Sequence, residues 1–334
     1  MTSLERTANI IAGKPVDHLP NMPIFMIWAA QRYGYSYEDY VRDYRVLGEC
    51  QLRLVEDFAL DILQLISDPV RETADCGAEL VYYDDGPPRT KEYILADKGK
   101  FVQLQRPNPT EGRMGDRVAG ARFLRERAGD EYPIMGWVEG PIAEAVDMRG
   151  MTDFMMDLVT DIEFARDLMD WIVPMEIDFA RAQVEAGCHM IGMGDAAASL
   201  ISPELYYEEV LPRERQIIEA IHEAGAIARL HICGNTNHIL RGMEQTGCEI
   251  IDLDHLVVME NARPEMGGRP VLLGNFDPVE VLKDSSPETV YGACRRCHEW
   301  AGDRYIIGPG CEVPPGTPEE NIRAMINYAR DAEI

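Results

Sequence analysis

His231 and Cys233 stand one residue apart at the end of a short apolar run, in Leu230-His-Ile-Cys-Gly-Asn-Thr236. An imidazole and a soft thiolate so spaced, where a strand stops, can enter one cleft and suit zinc. Cys311 ends the turn Gly308-Pro-Gly-Cys311, where glycine lets the backbone come close to a metal. Together His231, Cys233 and Cys311 make a three-ligand set, and three protein ligands leave the open position of a catalytic zinc. Asp254, at the end of another apolar run, is the expected displaceable fourth ligand. Asp252 alternates to the other side of that run or lies deeper. Glu139, Asp195, Asn275, Trp28 and Tyr206 are the candidates for the wall of a substrate pocket. Cys294 and Cys297 form an isolated Cys-x-x-Cys inside a helical pattern, without a second pair, and read as structural. His189 and His255 read as locally satisfied histidines.

These residues become one site only if the chain brings strand ends together. Short apolar runs at residues 22–28, 62–66, 134–138, 189–193, 227–230, 249–253, 270–274 and 304–308 alternate with helical patterns. Alternation of that kind implies parallel strands with helical crossovers, and eight of them point to a closed (β/α)8 TIM barrel. In such a barrel the chemistry sits at the carboxyl ends of the strands. Glu139, Asp195, His231, Cys233, Asp254, Asn275 and Cys311 all follow their runs and would converge on one mouth. The exception to the rhythm is residues 76–105. Alternating runs at 79–83, 91–95 and 101–104, separated by Asp84-Asp-Gly-Pro-Pro88 and Asp97-Lys-Gly99, predict a small β-meander inserted after the second strand. The expected organisation is a single barrel domain over 1–334.

Composition narrows the partners. The 334 residues carry a formal net charge of −26. That disfavours nucleic acid and anionic membrane surfaces, since a polyanion binder needs a basic footprint. No apolar run reaches the ~18 residues of a membrane span, and the first residues lack a signal-peptide pattern, so the cytosol is the expected compartment. Eight cysteines in such a chain read as core thiols or metal ligands rather than disulfides. No dinucleotide fingerprint or P-loop is present.

The pieces His231-Ile-Cys-Gly-Asn-Thr236, Gly274-Asn-Phe-Asp-Pro278 and Gly310-Cys-Glu-Val-Pro-Pro-Gly-Thr-Pro318 resemble the uroporphyrinogen decarboxylase superfamily, as do Asp195, Leu200-Ile-Ser-Pro203 and Arg6-Thr-Ala-Asn9. The likeness runs nearly end to end and is most specific in the second half. Within that superfamily the chain is similar to the cobalamin-dependent methyltransferase branch, whose His-x-Cys and late Cys bind zinc; His231, Cys233 and Cys311 match them. The decarboxylases share the fold, use no metal and carry an arginine-rich stretch after the first strand. Here residues 27–35 hold one arginine, Arg32. The resemblance implies zinc-dependent methyl transfer between a small molecule and the cobalt of cobalamin. No segment here would hold the corrinoid, so it would arrive on a partner corrinoid protein. Phe25, Trp28, Tyr33 and Tyr35, with Met26, Met190 and Met193, could wall an aromatic ether pocket, so O-demethylation of a methyl ether is the expected reaction. Transfer from a methylcorrinoid to a thiol is the alternative, and metal-free decarboxylation a further one.

Overall fold

The structure is a computed structural model describing residues 1–332. Seven parallel strands follow one another around a sheet: β1 (Leu63–Gln64), β4 (Ile134–Glu139), β5 (Met190–Gly194), β6 (Ile227–Ile232), β7 (Ile250–Leu253), β8 (Val271–Gly274) and β9 (Tyr305–Ile306). β2 (Leu80–Val81) and β3 (Arg89–Thr90) form a separate antiparallel pair. The eighth stave is a few residues of extended chain around Asn21. The Met22 amide donates to the Ile307 carbonyl at 2.9 Å on one side, and the Asp61 amide donates to the Asn21 carbonyl at 3.0 Å on the other. This segment lies between β9 and the approach to β1 and closes the barrel.

The expected first strand at 22–28 is therefore reduced to a single bridge, Asn21 to Ile307. Pro20 and Pro23 flank it and have no amide to give a ladder. The chain turns into the helix Ile27–Arg32 where the strand was expected to continue. Other differences have equally local causes. The helical pattern over 37–57 is two helices, Tyr37–Arg42 and Tyr44–Phe58. Asp43 ends the first and caps the second through the Arg45 amide at 2.8 Å. The expected third strand of the inserted meander is a 3-10 helix, Lys98–Gln103, because the Asp97 side chain takes the Gly99 amide at 2.9 Å and starts a turn. The helix Pro141–Arg149 directly after β4 was not anticipated; Pro141 opens it at its first position, where its missing amide costs nothing.

Two apolar layers hold the barrel. The larger lies between strands and outer helices. The smaller fills the interior with Ile24, Ile66, Met135, Trp137, Met190, Ile250 and Leu273. Interior space is tight: Trp137 occupies the place where a side chain on Gly192 would sit, 2.3 Å from an ideal Cβ, so β5 runs past it as Gly-Met-Gly. Among the described residues no helix is long and apolar enough to cross a membrane.

Candidate metal centre and cavity

His231 follows Arg229 by two positions on β6, so both side chains enter the barrel. Asp252 sits opposite His231 in the register of β7. Its carboxylate takes two bonds from buried Arg229, at 2.8 and 2.7 Å, and one from His231 Nδ1 at 3.1 Å. The Asp252 carboxyl is held below its usual range: burial opposes ionisation, but Arg229 and His231 outweigh it. Fixing Nδ1 in this way turns Nε2 outward to act as a ligand. Asp252 thus positions the imidazole from below.

Nε2 of His231 lies 3.0 Å from Cys233 Sγ and 3.8 Å from Cys311 Sγ, and the two sulfurs are 3.8 Å apart. Both cysteines are free. Tetrahedral zinc with its usual bond lengths sets two sulfurs about 3.8 Å apart and a nitrogen and sulfur about 3.6 Å apart. The sulfur–sulfur distance meets that geometry, and the closer Cys233–His231 pair needs to open by about half an ångström. Among the described residues this is the one group of three such side chains whose ligand atoms all lie within 4.8 Å. In the protein alone the proton is shared unequally. A bond from Cys233, against burial and with help from His231, holds the Cys311 thiol down to about 4, while that same bond and burial push Cys233 well up. Burial works to lower the His231 imidazolium, but Cys233 and Asp252 outweigh it and hold it above its usual range. One thiolate beside an imidazolium is the charge pattern that a divalent cation replaces with release of protons.

The turn that delivers Cys311 depends on Gly310. A side chain there would meet the His255 amide at 2.4 Å and the Asn275 carbonyl at 3.0 Å. Asp254, expected as the fourth ligand, is not in the cluster. Its two oxygens accept the amides of Gly234 at 2.8 Å and Leu256 at 2.9 Å, so it shapes the loops on either side of Cys233 instead. Asn275 likewise holds loop backbone, donating to the carbonyls of Asp254 and Val257 at 3.0 and 2.7 Å.

A cavity of about 170 Å³ opens beside the three ligands, bounded by Ile24, Met26, Ile66, Asp68, Pro69, Trp137, Glu139, Gly194, Ala196 and Glu312. Of the five residues expected to line a pocket, Glu139 does. Trp28 packs on Phe25 and Phe58 and donates its Nε1 to the Thr317 carbonyl at 2.9 Å. Tyr206 is buried and donates to Glu214 at 2.6 Å. Asp195 takes the Ala143 amide at 2.7 Å and faces Glu214. Burial first, then Glu214, pushes the Asp195 carboxyl well up, and burial pushes Glu214 up to about 7. The expected aromatic wall is consequently absent from the cavity; its aromatic is Trp137, whose ring lies 6.3 Å from that of His231.

Residues the sequence reading passed over are the acidic neighbours. Arg71 is fully buried and donates to Glu72 at 3.2 Å and Glu139 at 3.1 Å. Burial, opposed by Arg71 and aided by Glu72, raises the Glu139 carboxyl well above its usual range. Glu312 follows Cys311 and accepts the Ile27 amide at 2.9 Å; burial foremost pushes it up to about 8. Arg71 and Glu72 lie in a five-residue helix, Arg71–Asp75, too short for a periodic signal. Glu312, adjacent to an expected ligand, was within reach of the sequence.

Known proteins resemble this chain along most of its length. The description Uroporphyrinogen decarboxylase (URO-D) matches residues 2–332. A methylcobamide:CoM methyltransferase, MtbA, of Methanosarcina acetivorans is 30% identical over 73% of this chain and 71% of its own length. A uroporphyrinogen decarboxylase of Nostoc sp. is 24% identical over 93% of each chain. A solved methyltransferase from Methanosarcina mazei has the same fold, with a TM-score of 0.86 over 98% of each chain at 22% identity. The chain belongs to the uroporphyrinogen decarboxylase (URO-D) family, on the branch that holds the methylcobamide:CoM methyltransferases.

Proposed function

We propose that this protein transfers a methyl group from the cobalt of a corrinoid, carried by a partner protein, to a small thiol, at a zinc ion held by His231, Cys233 and Cys311. The observation that carries the reading is the cluster itself: one nitrogen and two sulfurs within 4.8 Å, beside a cavity. A decarboxylase without metal has no use for it. The expected ether reading gives way to the thiol alternative on two grounds. The aromatic residues meant to hold an aromatic ether pack elsewhere, and the similar methyltransferase acts between a methylcobamide and CoM, a thiol acceptor.

Zinc, when bound, supplies a Lewis acid that keeps a thiol ionised and nucleophilic near neutral pH. The chain's own residues do the rest. Arg229 neutralises Asp252, and Asp252 holds the His231 ring in one tautomer and one orientation. Ile24, Ile66, Pro69 and Trp137 keep the cavity apolar, which limits water at the sulfur. The thiol loses its proton to solvent. Its sulfur then attacks the methyl carbon, the carbon–cobalt bond breaks, and the electron pair stays on cobalt, giving a thioether and cob(I)alamin. The corrinoid approaches over the barrel mouth, where the strand ends open.

The test uses purified protein, metal analysis, and methylcobalamin with 2-mercaptoethanol. About one zinc per chain, and thioether formation that a strong chelator stops, is the expected result. Absence of bound zinc overturns the reading. So does a zinc-containing protein that leaves methylcobalamin intact with thiols but methylates cob(I)alamin from methyl ethers.

A further inference from the structure

The polar groups facing the cavity are acidic. Asp68, Glu139 and Glu312 line it, and among the described residues no lysine or arginine does. Asp68 is occupied, with its two oxygens taken by Arg113 at 2.8 and 2.7 Å. Glu139 is only half occupied. It is 6% exposed, and its Oε1 receives both Arg71 and Trp137 at 3.1 Å. Its Oε2 has no donor among the described residues, and it lies over Gly194, 3.2 Å from where a Cβ would stand. Glu312 likewise uses Oε1 for the Ile27 amide and leaves its other oxygen without a side-chain donor. Arg71 does not line the cavity: its NH2 is spent on Glu72 and Glu139, its NH1 on the Asp68 carbonyl, and its Nε is buried without a partner.

A carboxyl oxygen without a protein donor, on a buried side chain that lines a cavity, is a place for a donor on the ligand. The cavity's ~170 Å³ is close to the volume that admits benzene, so it accepts a molecule of about six non-hydrogen atoms. If the sulfur goes to the metal cluster, the other end of so small a molecule remains within the same walls. An anionic end would find no lysine or arginine on the cavity wall, and its charge would oppose ionisation of the carboxyls there still further. An ammonium end would supply the donor that Oε2 lacks and, by its charge, favour the ionised form of Glu139 that burial otherwise opposes.

We infer that the acceptor is a short aminothiol, with its sulfur at the His231–Cys233–Cys311 cluster and its protonated amine on Glu139. This rests on the thiol reading above and narrows it.

The test compares three thiols of equal chain length, 2-aminoethanethiol, 2-mercaptoethanol and 2-mercaptoethanesulfonate, on cobalt(II)-substituted protein. Thiolate binding to cobalt is read from its absorption, without turnover. The aminothiol is expected to bind about ten-fold or more tightly than the neutral thiol, and the sulfonate most weakly, as one charge-assisted bond implies. In E139Q the preference for the amine collapses towards unity. A sulfonate that binds as well as the amine overturns the inference, as does an amine preference that survives in folded E139Q. The series on the unaltered protein decides the matter even if E139Q does not fold. If the neutral thiol binds and the amine gains nothing, only this inference falls. If none of the three perturbs the cobalt spectrum, the thiol reading falls and takes this inference with it.

Discussion

The two sides of the barrel mouth treat buried charge in opposite ways. On the β6–β7 side, Asp252 is buried but saturated, with Arg229 on both oxygens and His231 on one. On the β4 side, Glu72, Glu139, Glu144 and Glu176 gather around a single guanidinium, Arg71. There, one oxygen each of Glu72 and Glu144 and both oxygens of Glu176 have no partner. An ionised carboxylate without a partner in a dry interior is costly, so these groups keep their protons. The first side is a fixed frame for metal ligands, in which Arg229 and His231 keep Asp252 ionised. The second is a set of neutral acids whose state depends on pH. Ligand geometry and proton storage are thus assigned to different walls of one cavity, with Glu139 on the border between them.

The largest expected effect breaks the ligand side. Cys311→Ala removes one of two sulfurs from the cluster and leaves two donors. Metal analysis should find bound zinc reduced to background after dialysis. Methyl transfer from methylcobalamin to thiol should fall by roughly a thousand-fold or more, since the step depends on the site being loaded. Cys297→Ala serves as the comparison, because Cys297 lies in the helix Pro287–Ala301, buried away from the cluster. Its zinc content should stay at the unaltered level.

Asp252→Asn is smaller and sharper. The amide keeps shape and can still meet His231 or Arg229, but not both with full charge. Loss of such a partner behind a metal-bound histidine typically costs 10- to 100-fold in metal affinity. Competition with a chromophoric chelator should show that loss. An unchanged affinity would mean that Asp252 serves the fold through Arg229 alone and does not tune the ligand.

The difference between the walls also explains what could be read from the chain alone. The ligand side was legible because its residues end strands: His231, Cys233 and Cys311 follow apolar runs whose eight-fold rhythm puts their ends on one rim. Asp254 followed the same rule and misled, since a carboxylate at a strand end can equally cap the next turn. The acidic side carried no such mark. Glu144 lies in the unanticipated helix Pro141–Arg149 and Glu176 in a helix that reads as an ordinary surface-to-core pattern, and nothing in their spacing says that they meet. Trp28 and Tyr206 fell short for a related reason: residue type suggested a pocket wall, whereas packing against Phe58 and Glu214 was decided by helix placement.

Glu176→Gln tests the acidic wall with the smallest effect. Burial, reinforced by Glu72 and Glu144, raises the Glu176 carboxyl well above its usual range. In the unfolded chain it ionises near pH 4.3, while in the folded chain it holds its proton. Between those two points the folded state binds more protons than the unfolded one, so its stability falls as pH rises, by about 1.4 kcal/mol per pH unit for one group. Glutamine has the same shape and no proton to lose. Urea unfolding should therefore find the variant about as stable as the parent near pH 4.5, and more stable by an increasing margin from pH 6 to pH 8. At each pH the variant's zinc content should match the parent's, because Asp252 and the three ligands lie on the other wall. A variant destabilised equally at every pH would show that Glu176 works through an unseen hydrogen bond rather than as a stored proton, and the contrast between the two walls would then not hold.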